Sequence, residues 1–311
     1  MCYSAQVRAE HRKFLRQTGA KMELKDYVRI FWLDKGADPY AKRPKVPRAM
    51  EIGFLRDGPP EIAELIRQWD AREMQALEQE LFKQRRRVAD GERSLQAKPT
   101  KKAQEDVRIG RSRVEQIKGR IEALKRSEPH PDDARIYPGY YSHVLVSEGG
   151  QRVMRPMRYQ CRPAGKPALY DRKFPGTYNA RRDSLEGFWK AQFGHHHALM
   201  VADVFYENVA AADGHNQVLA FTPRTGEPML IACLWSHWTD PAGVDPALDS
   251  FAAITDDPEP EVAAAGHDRT IINIKPGHID AWLNPDPANL QALYAIFDDR
   301  QHPYYEHREA A

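Results

Sequence analysis

The sequence predicts an α+β protein: a curved antiparallel sheet system with flanking helices, interrupted by an inserted helical hairpin. Three observations carry this reading. A seven-residue apolar repeat runs through a highly charged segment between about 60 and 127. Short β-branched or aromatic runs bounded by Gly, Pro, Asp or Asn fill most of the chain after Pro129. Strands and helices do not alternate as βαβ units do.

Residues 1–60 mix short amphipathic helix signals with Pro-rich loops such as Lys42-Arg43-Pro44-Lys45-Val46-Pro47. From about Pro60, Met74, Leu81 and Val88 stand seven apart with Leu77 between them, and Ile62, Ile66 and Trp69 lie upstream. Val107, Val114 and Ile121 repeat the device, interleaved with Ile117 and Leu124. Asp90-Gly91 and Lys98-Pro99-Thr100 are breaker signals between the halves, so the segment reads as an antiparallel coiled-coil hairpin. Arg85-Arg86-Arg87 can touch DNA or a partner, although interspersed acidic residues favour a solvated face. Strands are predicted at 142–146, 153–159, 198–206, 218–222, 229–235, 251–255 and 270–274, and helices at 258–264, 279–283 and 288–297.

The 311 residues suffice for one large domain or two modest ones, and the expected division is 1–60 with 129–311 against 61–128. A 41% hydrophobic and 29% charged composition is that of a soluble globular protein. No run approaches the roughly 18 apolar residues of a membrane helix, and no secretory h-region precedes the fold, so a cytoplasmic protein is the expectation. Cys2, Cys161 and Cys233 leave an odd cysteine and show no metal-ligand spacing. A net charge of +2 is too small to announce nucleic-acid binding, which would need local clustering of Arg and Lys.

Cys2 is the most informative single residue. Removal of Met1 would expose an α-amine and a thiol on adjacent carbons, with ordinary pKa values of roughly 7.7–8.0 and about 8.5. The amine condenses with an aldehyde, and the thiol closes on the imine to give a thiazolidine. Three further signatures supply matching chemistry. Tyr178-Asn179-Ala180-Arg181 offers an amide that donates and accepts, and a forked cation. The apolar stretch Ala202-Asp203-Val204-Phe205-Tyr206 ends in Glu207, whose burial would suit it to acid–base work. Gly266-His267-Asp268-Arg269 brings an imidazole that titrates near neutrality and a second guanidinium. His195-His196-His197 cannot turn all three rings to one metal from a strand. Trp235, His237 and Trp238 are open to two readings, a base-stacking groove or core packing.

Taken in order, these motifs resemble the SOS response-associated peptidase (SRAP) family, whose bacterial and vertebrate members shield abasic sites in single-stranded DNA. Members start Met-Cys. They have a Pro-Gly turn, similar to Tyr137-Pro138-Gly139, and a Pro-plus-aromatic strand, similar to Pro156-Met157-Arg158-Tyr159. Their Asn-Ala-Arg-x-Glu resembles 179–183, their aromatic-aromatic-Glu-Trp strand 205–208, and their His-Asp-Arg-Met-Pro 267–271. The resemblance covers residues 1–30 and about 136–305, and it implies a barrel-like core. It also implies that Cys2 bonds to the ring-opened abasic sugar, that Asn179 sits beside the N-terminal amine, and that Glu207 is the acid–base carboxylate. His267 would assist ring opening, and Arg181 and Arg269 would hold flanking phosphates. No cofactor or metal is implied. The partner would be single-stranded DNA with abasic sites, with the protein on the nucleoid when bound, and the hairpin would mediate a protein contact or self-association. The same groups could remove Met1.

Departures stand beside the matches. Tyr3 and Ser4 replace Gly and Arg, Asp183 replaces Glu, Asn208 replaces Trp, and Thr270-Ile271 replaces Met-Pro. Two other functions stay open at this point. One is an N-terminal cysteine hydrolase of peptides or amides, with the Cys2 amine as base. The other is a coiled-coil adaptor on a catalytically altered domain.

Overall fold

The computed structural model describes residues 3–32, 43–210 and 214–310. Within them the strands are β1 (Ser4–Val7), β2 (Lys21–Met22), β3 (Arg135–Ile136), β4 (Tyr141–Glu148), β5 (Gln151–Tyr159), β6 (Asn179–Arg181), β7 (His197–Ala210), β8 (Asn216–Pro223), β9 (Met229–Trp238), β10 (Leu248–Asp256), β11 (Thr270–Ile271) and β12 (Tyr305–Glu309). The helices are α1 (His11–Thr18), α2 (Leu24–Trp32), α3 (Arg48–Asp57), α4 (Pro60–Ala97), α5 (Lys101–Lys125), α6 (Tyr170–Lys173), α7 (Pro260–Ala264), α8 (Ile279–Leu283) and α9 (Leu290–Asp298). Among the described residues, no helix is long and apolar enough to cross a membrane.

All the strands belong to one sheet, and part of it closes on itself. β10 pairs with β5, β5 with β4, β4 with β7, β7 with β9, and β9 returns to β10. Residues 142–146 and 229–234 are buried without alternation, because the closed interior lies on one face and packed segments cover the other. Strand β7 is the hub. Its first half pairs with β9, and its second half carries β1 on one edge and β8 on the other.

The α+β class and the curved, closing sheet are as the sequence predicts, but the sheet is mixed. β5 and β6 lie parallel to β10, and β2 lies parallel to β5. Parallel neighbours need long crossovers, and no local pattern announces pairings between segments so far apart in sequence. β1, β2, β3 and β6 are too short to show a period. β12 has no apolar pattern to announce it: it begins with buried Tyr305 and continues as exposed Glu306, His307, Arg308 and Glu309, a charged edge strand on β8.

One expected break is absent. α4 runs unbroken through Asp90 and Gly91, and the chain turns only at Lys98-Pro99-Thr100, where the Thr100 side chain accepts from the Ala103 N–H. Gly91 is a packing residue. A Cβ there would meet Val107 Cγ2 at 2.8 Å, and one at Gly110 would meet Val88 Cγ2 at 2.6 Å. The two glycines let the helices approach closely, which outweighs their helix-propensity cost of about 1 kcal/mol each. Ile62, Leu65 and Ile66 of α4 join the main core with Phe31 and Phe54, whereas nothing in the hairpin beyond them does.

Candidate active site

Glu207 occupies the second half of β7, opposite Leu219 of β8. It is 1% exposed. Removal from water pushes its carboxyl up to about 8, with the nearby Asp268 charge adding to the effect.

His267 reaches Glu207 from a separate element. Helix α7 ends in a Schellman motif: the Gly266 N–H donates to the Ala263 carbonyl and the His267 N–H to the Val262 carbonyl. Gly266 holds φ +92°, a conformation that side chains resist. The imidazole Nε2 then stands 3.2 Å from Glu207 Oε2, with both side chains buried. Nδ1 lies 3.0 Å from the Arg269 carbonyl oxygen and 3.3 Å from the Arg269 nitrogen. The shorter contact assigns the proton to Nδ1, which leaves the Nε2 lone pair facing the carboxyl. Burial depresses the basicity of His267 while it raises the pKa of Glu207, so near neutrality the pair is a neutral imidazole against a protonated acid.

Because this geometry hangs on one positive-φ glycine, Gly266→Ala is expected to cost about 1–2 kcal/mol. It should also lower the reactivity of the site more than that loss of stability explains. Thermal unfolding and activity measured on the same preparation check this, and an unchanged melting temperature would count against it.

Asn179 opens β6, which lies parallel to β10 with Asn179 opposite Ala253 and Arg181 opposite Thr255. Its side chain is 8% exposed, and neither Oδ1 nor Nδ2 has a hydrogen-bond partner among the described residues. A buried amide held open in this way is costly unless a ligand completes it. Thr255, buried and with its Oγ1 unpartnered among the described residues, lies across from Arg181 on one side and Ile271 on the other. Nothing in the sequence marks Thr255, since a lone Thr in an apolar strand carries no signal. Arg181 pairs with Asp183 at 3.1 Å and Arg269 with Asp268 at 3.4 Å, so the two guanidiniums flank the end of β10 with nearby acidic partners.

The N-terminal strand joins these parts. Ser4 pairs with Tyr206, and the antiparallel register runs residue 3 toward Glu207. Arg135 fastens this end: its Nε donates to Ser4 Oγ at 3.0 Å, and its guanidinium lies 3.6 Å from the Tyr206 ring centroid. Tyr3 packs edge-on against Tyr137 and against Tyr178, the residue before Asn179, at 5.8 and 6.2 Å. The described start of the chain therefore touches both the strand of Glu207 and the segment leading into Asn179. Cys2 itself lies outside the described residues.

Of the remaining candidates, His197 and Trp238 belong to the core, whereas Trp235 is half-buried and His195, His196 and His237 are exposed. His197 accepts from the Gly194 N–H through Nε2, and its Nδ1 lies 2.9 Å from the Trp282 carbonyl, so both ring nitrogens are engaged. Trp238 is fully buried, donates to the Lys166 carbonyl and lies beneath Arg162, which leaves it no face for a base. Cys161 and Cys233 are buried thiols, with Cys161 pushed up to about 12 by desolvation.

Residues 95–309 match the SOS response associated peptidase (SRAP) family, a stretch that covers 215 of the 311 residues and begins within the helical hairpin. Among solved structures, the chain is similar to a protein from Bordetella bronchiseptica at 21% identity, over 57% of this chain and 87% of that one, with a TM-score of 0.47. A protein from Bacteroides thetaiotaomicron shows 12% identity over 57% and 77%, with a TM-score of 0.46. A phage-related protein from Bordetella bronchiseptica shows 21% identity over 57% and 80%, with a TM-score of 0.42. No curated protein matches the chain.

Proposed function

Because the chain belongs to the SOS response associated peptidase family, we propose that it binds single-stranded DNA and links itself covalently to abasic sites through Cys2 once Met1 is removed. Family membership associates the chain with the DNA-damage response in general. The observation that supports the finer reading is the buried Glu207–His267 pair, 3.2 Å apart, with Glu207 on the strand that pairs with β1. The described chain begins at Tyr3, which follows Cys2 in sequence and precedes Ser4, the residue that pairs on the strand of Glu207.

The reaction follows from these groups. An abasic deoxyribose opens to an aldehyde, and the Cys2 α-amine adds to its C1′ to give a carbinolamine. Protonated Glu207 supplies a proton to the departing hydroxyl, which leaves as water and produces an imine. The Cys2 thiol then adds across the C=N bond, its sulfur to carbon and its proton to nitrogen, which closes the thiazolidine. The net change is loss of one water. His267 exchanges the proton with Glu207 through Nε2. The unpartnered amide of Asn179 and hydroxyl of Thr255 complete their hydrogen bonds on the sugar. Arg181 and Arg269 exchange their carboxylate neighbours for phosphates, and Arg135, held at Ser4, supplies the charge that Ser4 lacks. On this reading 1–60 and 129–311 form the reactive part and 61–128 is an insertion.

The test uses Met1-free protein and an abasic single-stranded oligonucleotide. The expected product survives denaturing electrophoresis, accumulates with time, and has the summed mass of the two components less one water. An adduct that forms and hydrolyses with turnover would instead support the N-terminal hydrolase. No adduct at all would overturn the proposal.

A further inference from the structure

The hairpin's charge is segregated along its length. Residues 60–81 hold two basic against six acidic side chains, whereas residues 82–113 hold eleven basic against four acidic, a net of +7 in a chain whose total is +2. The interspersed acids that suggest a neutral solvated face are therefore concentrated at the root. In the distal part several cations have no carboxylate partner among the described residues: Arg85, Lys98, Lys101, Lys102 and Arg113, all exposed. Three of them crowd the start of α5, whose first turn contains no acidic residue. Positive charge at a helix N-terminus opposes the helix dipole, and a bound anion relieves that conflict.

Ion pairs anchor the root of the arm. At its root Arg43 binds Glu51, Asp70 and Glu73 at 2.7, 2.6 and 2.8 Å. Arg48 binds Glu51 and Asp70 and donates to the Leu124 carbonyl, and Arg120 binds Glu73. This half-buried network ties both helices to α3. From Phe82 to Ala97 the arm extends about 24 Å.

We propose that residues 82–113 form a docking surface for the phosphate backbone of double-stranded DNA. The surface is distinct from the candidate active site, and its charge carries the inference without the crosslinking reading. A helical rod that carries a net positive charge along its length is complementary to a linear polyanion with one phosphate per about 1.7 Å of axis. Phe82, at 72% exposure, is the single large hydrophobic residue strongly exposed on this described arm. Single-strand surfaces instead rely on successive stacking aromatics.

The experiment compares the full chain with its R85Q/K98Q/K101Q/K102Q/R113Q variant, using fluorescence anisotropy on an intact duplex of about 20 base pairs across a salt series. At about 0.15 M salt the variant should bind at least tenfold more weakly, and its slope of log K against log salt should be shallower by about 4. Crosslinking to a short abasic single strand, run in parallel, should be unchanged. Failure of crosslinking in both proteins would overturn the function proposed above and leave the arm standing. Equal affinity and slope in the two proteins would overturn the arm. So would an equal loss on a single strand of the same length, or stronger binding to anionic vesicles or polyglutamate than to duplex. Should the fivefold variant fail to fold, K98Q/K101Q/K102Q at the exposed turn repeats the test, with the slope expected to fall by about 2–3.

Discussion

Cys2→Ala is expected to abolish the denaturation-resistant adduct with abasic single-stranded DNA, while reversible binding to the same oligonucleotide stays within about twofold. The separation follows from the division of labour proposed here. Binding rests on Arg181, Arg269 and Arg135, and bond formation rests on the thiol that traps the imine. Alanine keeps the α-amine, so a transient imine still forms and borohydride should capture it. Retaining Met1 ties the Cys2 nitrogen into a peptide bond, so no 1,2-aminothiol exists and the stable thiazolidine adduct should not form. Undiminished stable crosslinking by Cys2→Ala would show that another residue is the nucleophile. Cys161 and Cys233 offer no substitute, because both thiols are buried and desolvation raises their pKa values.

Glu207→Gln should lower the crosslinking rate by about 10²–10⁴, the usual worth of a positioned general acid. The same variant tests the protonation state. Burial raises the Glu207 pKa from 4.5 to about 8, so the folded protein holds a proton that the unfolded chain releases. The associated stability is fully present below the ordinary carboxylate range and is lost as pH rises through about 8. His267 has the opposite sign, since its basicity is depressed and acidification favours the unfolded chain. Glu207→Gln removes only the first contribution. Relative to the variant, the wild type should therefore lose up to about 1.4 kcal/mol per pH unit between pH 5 and 8. Chemical denaturation across that range measures it. Parallel profiles would mean that Glu207 is ionised throughout.

Much of the fold is legible because it is encoded locally. The heptads at Met74, Leu81 and Val88 and at Val107, Val114 and Ile121 predict the hairpin, since a seven-residue apolar period has one structural solution. Gly91 shows the limit of that logic. Glycine breaks helices by local propensity, but here the close approach of Val107 decides its use. The same distinction governs the sheet: long apolar strands are readable, whereas polar β12 and the parallel register of β6 on β10 are not.

For the site, the sequence alone determined the chemical inventory: an aminothiol behind Met1, a carboxylate ending an apolar strand, a histidine after a glycine, an amide and two guanidiniums. Each is set by residue type and immediate neighbours. The tertiary structure alone decided that Glu207 and His267, sixty residues apart, meet at 3.2 Å in a buried setting. It also decided that the polar atoms of Asn179 and Thr255 are buried without a hydrogen-bond partner among the described residues, and that β1 pairs with the strand of Glu207. The physical reason is that desolvation and pairing belong to the space between elements. A carboxyl becomes an acid at neutral pH only when β1, β8 and the end of α7 close around it, and no local stretch of sequence specifies that closure.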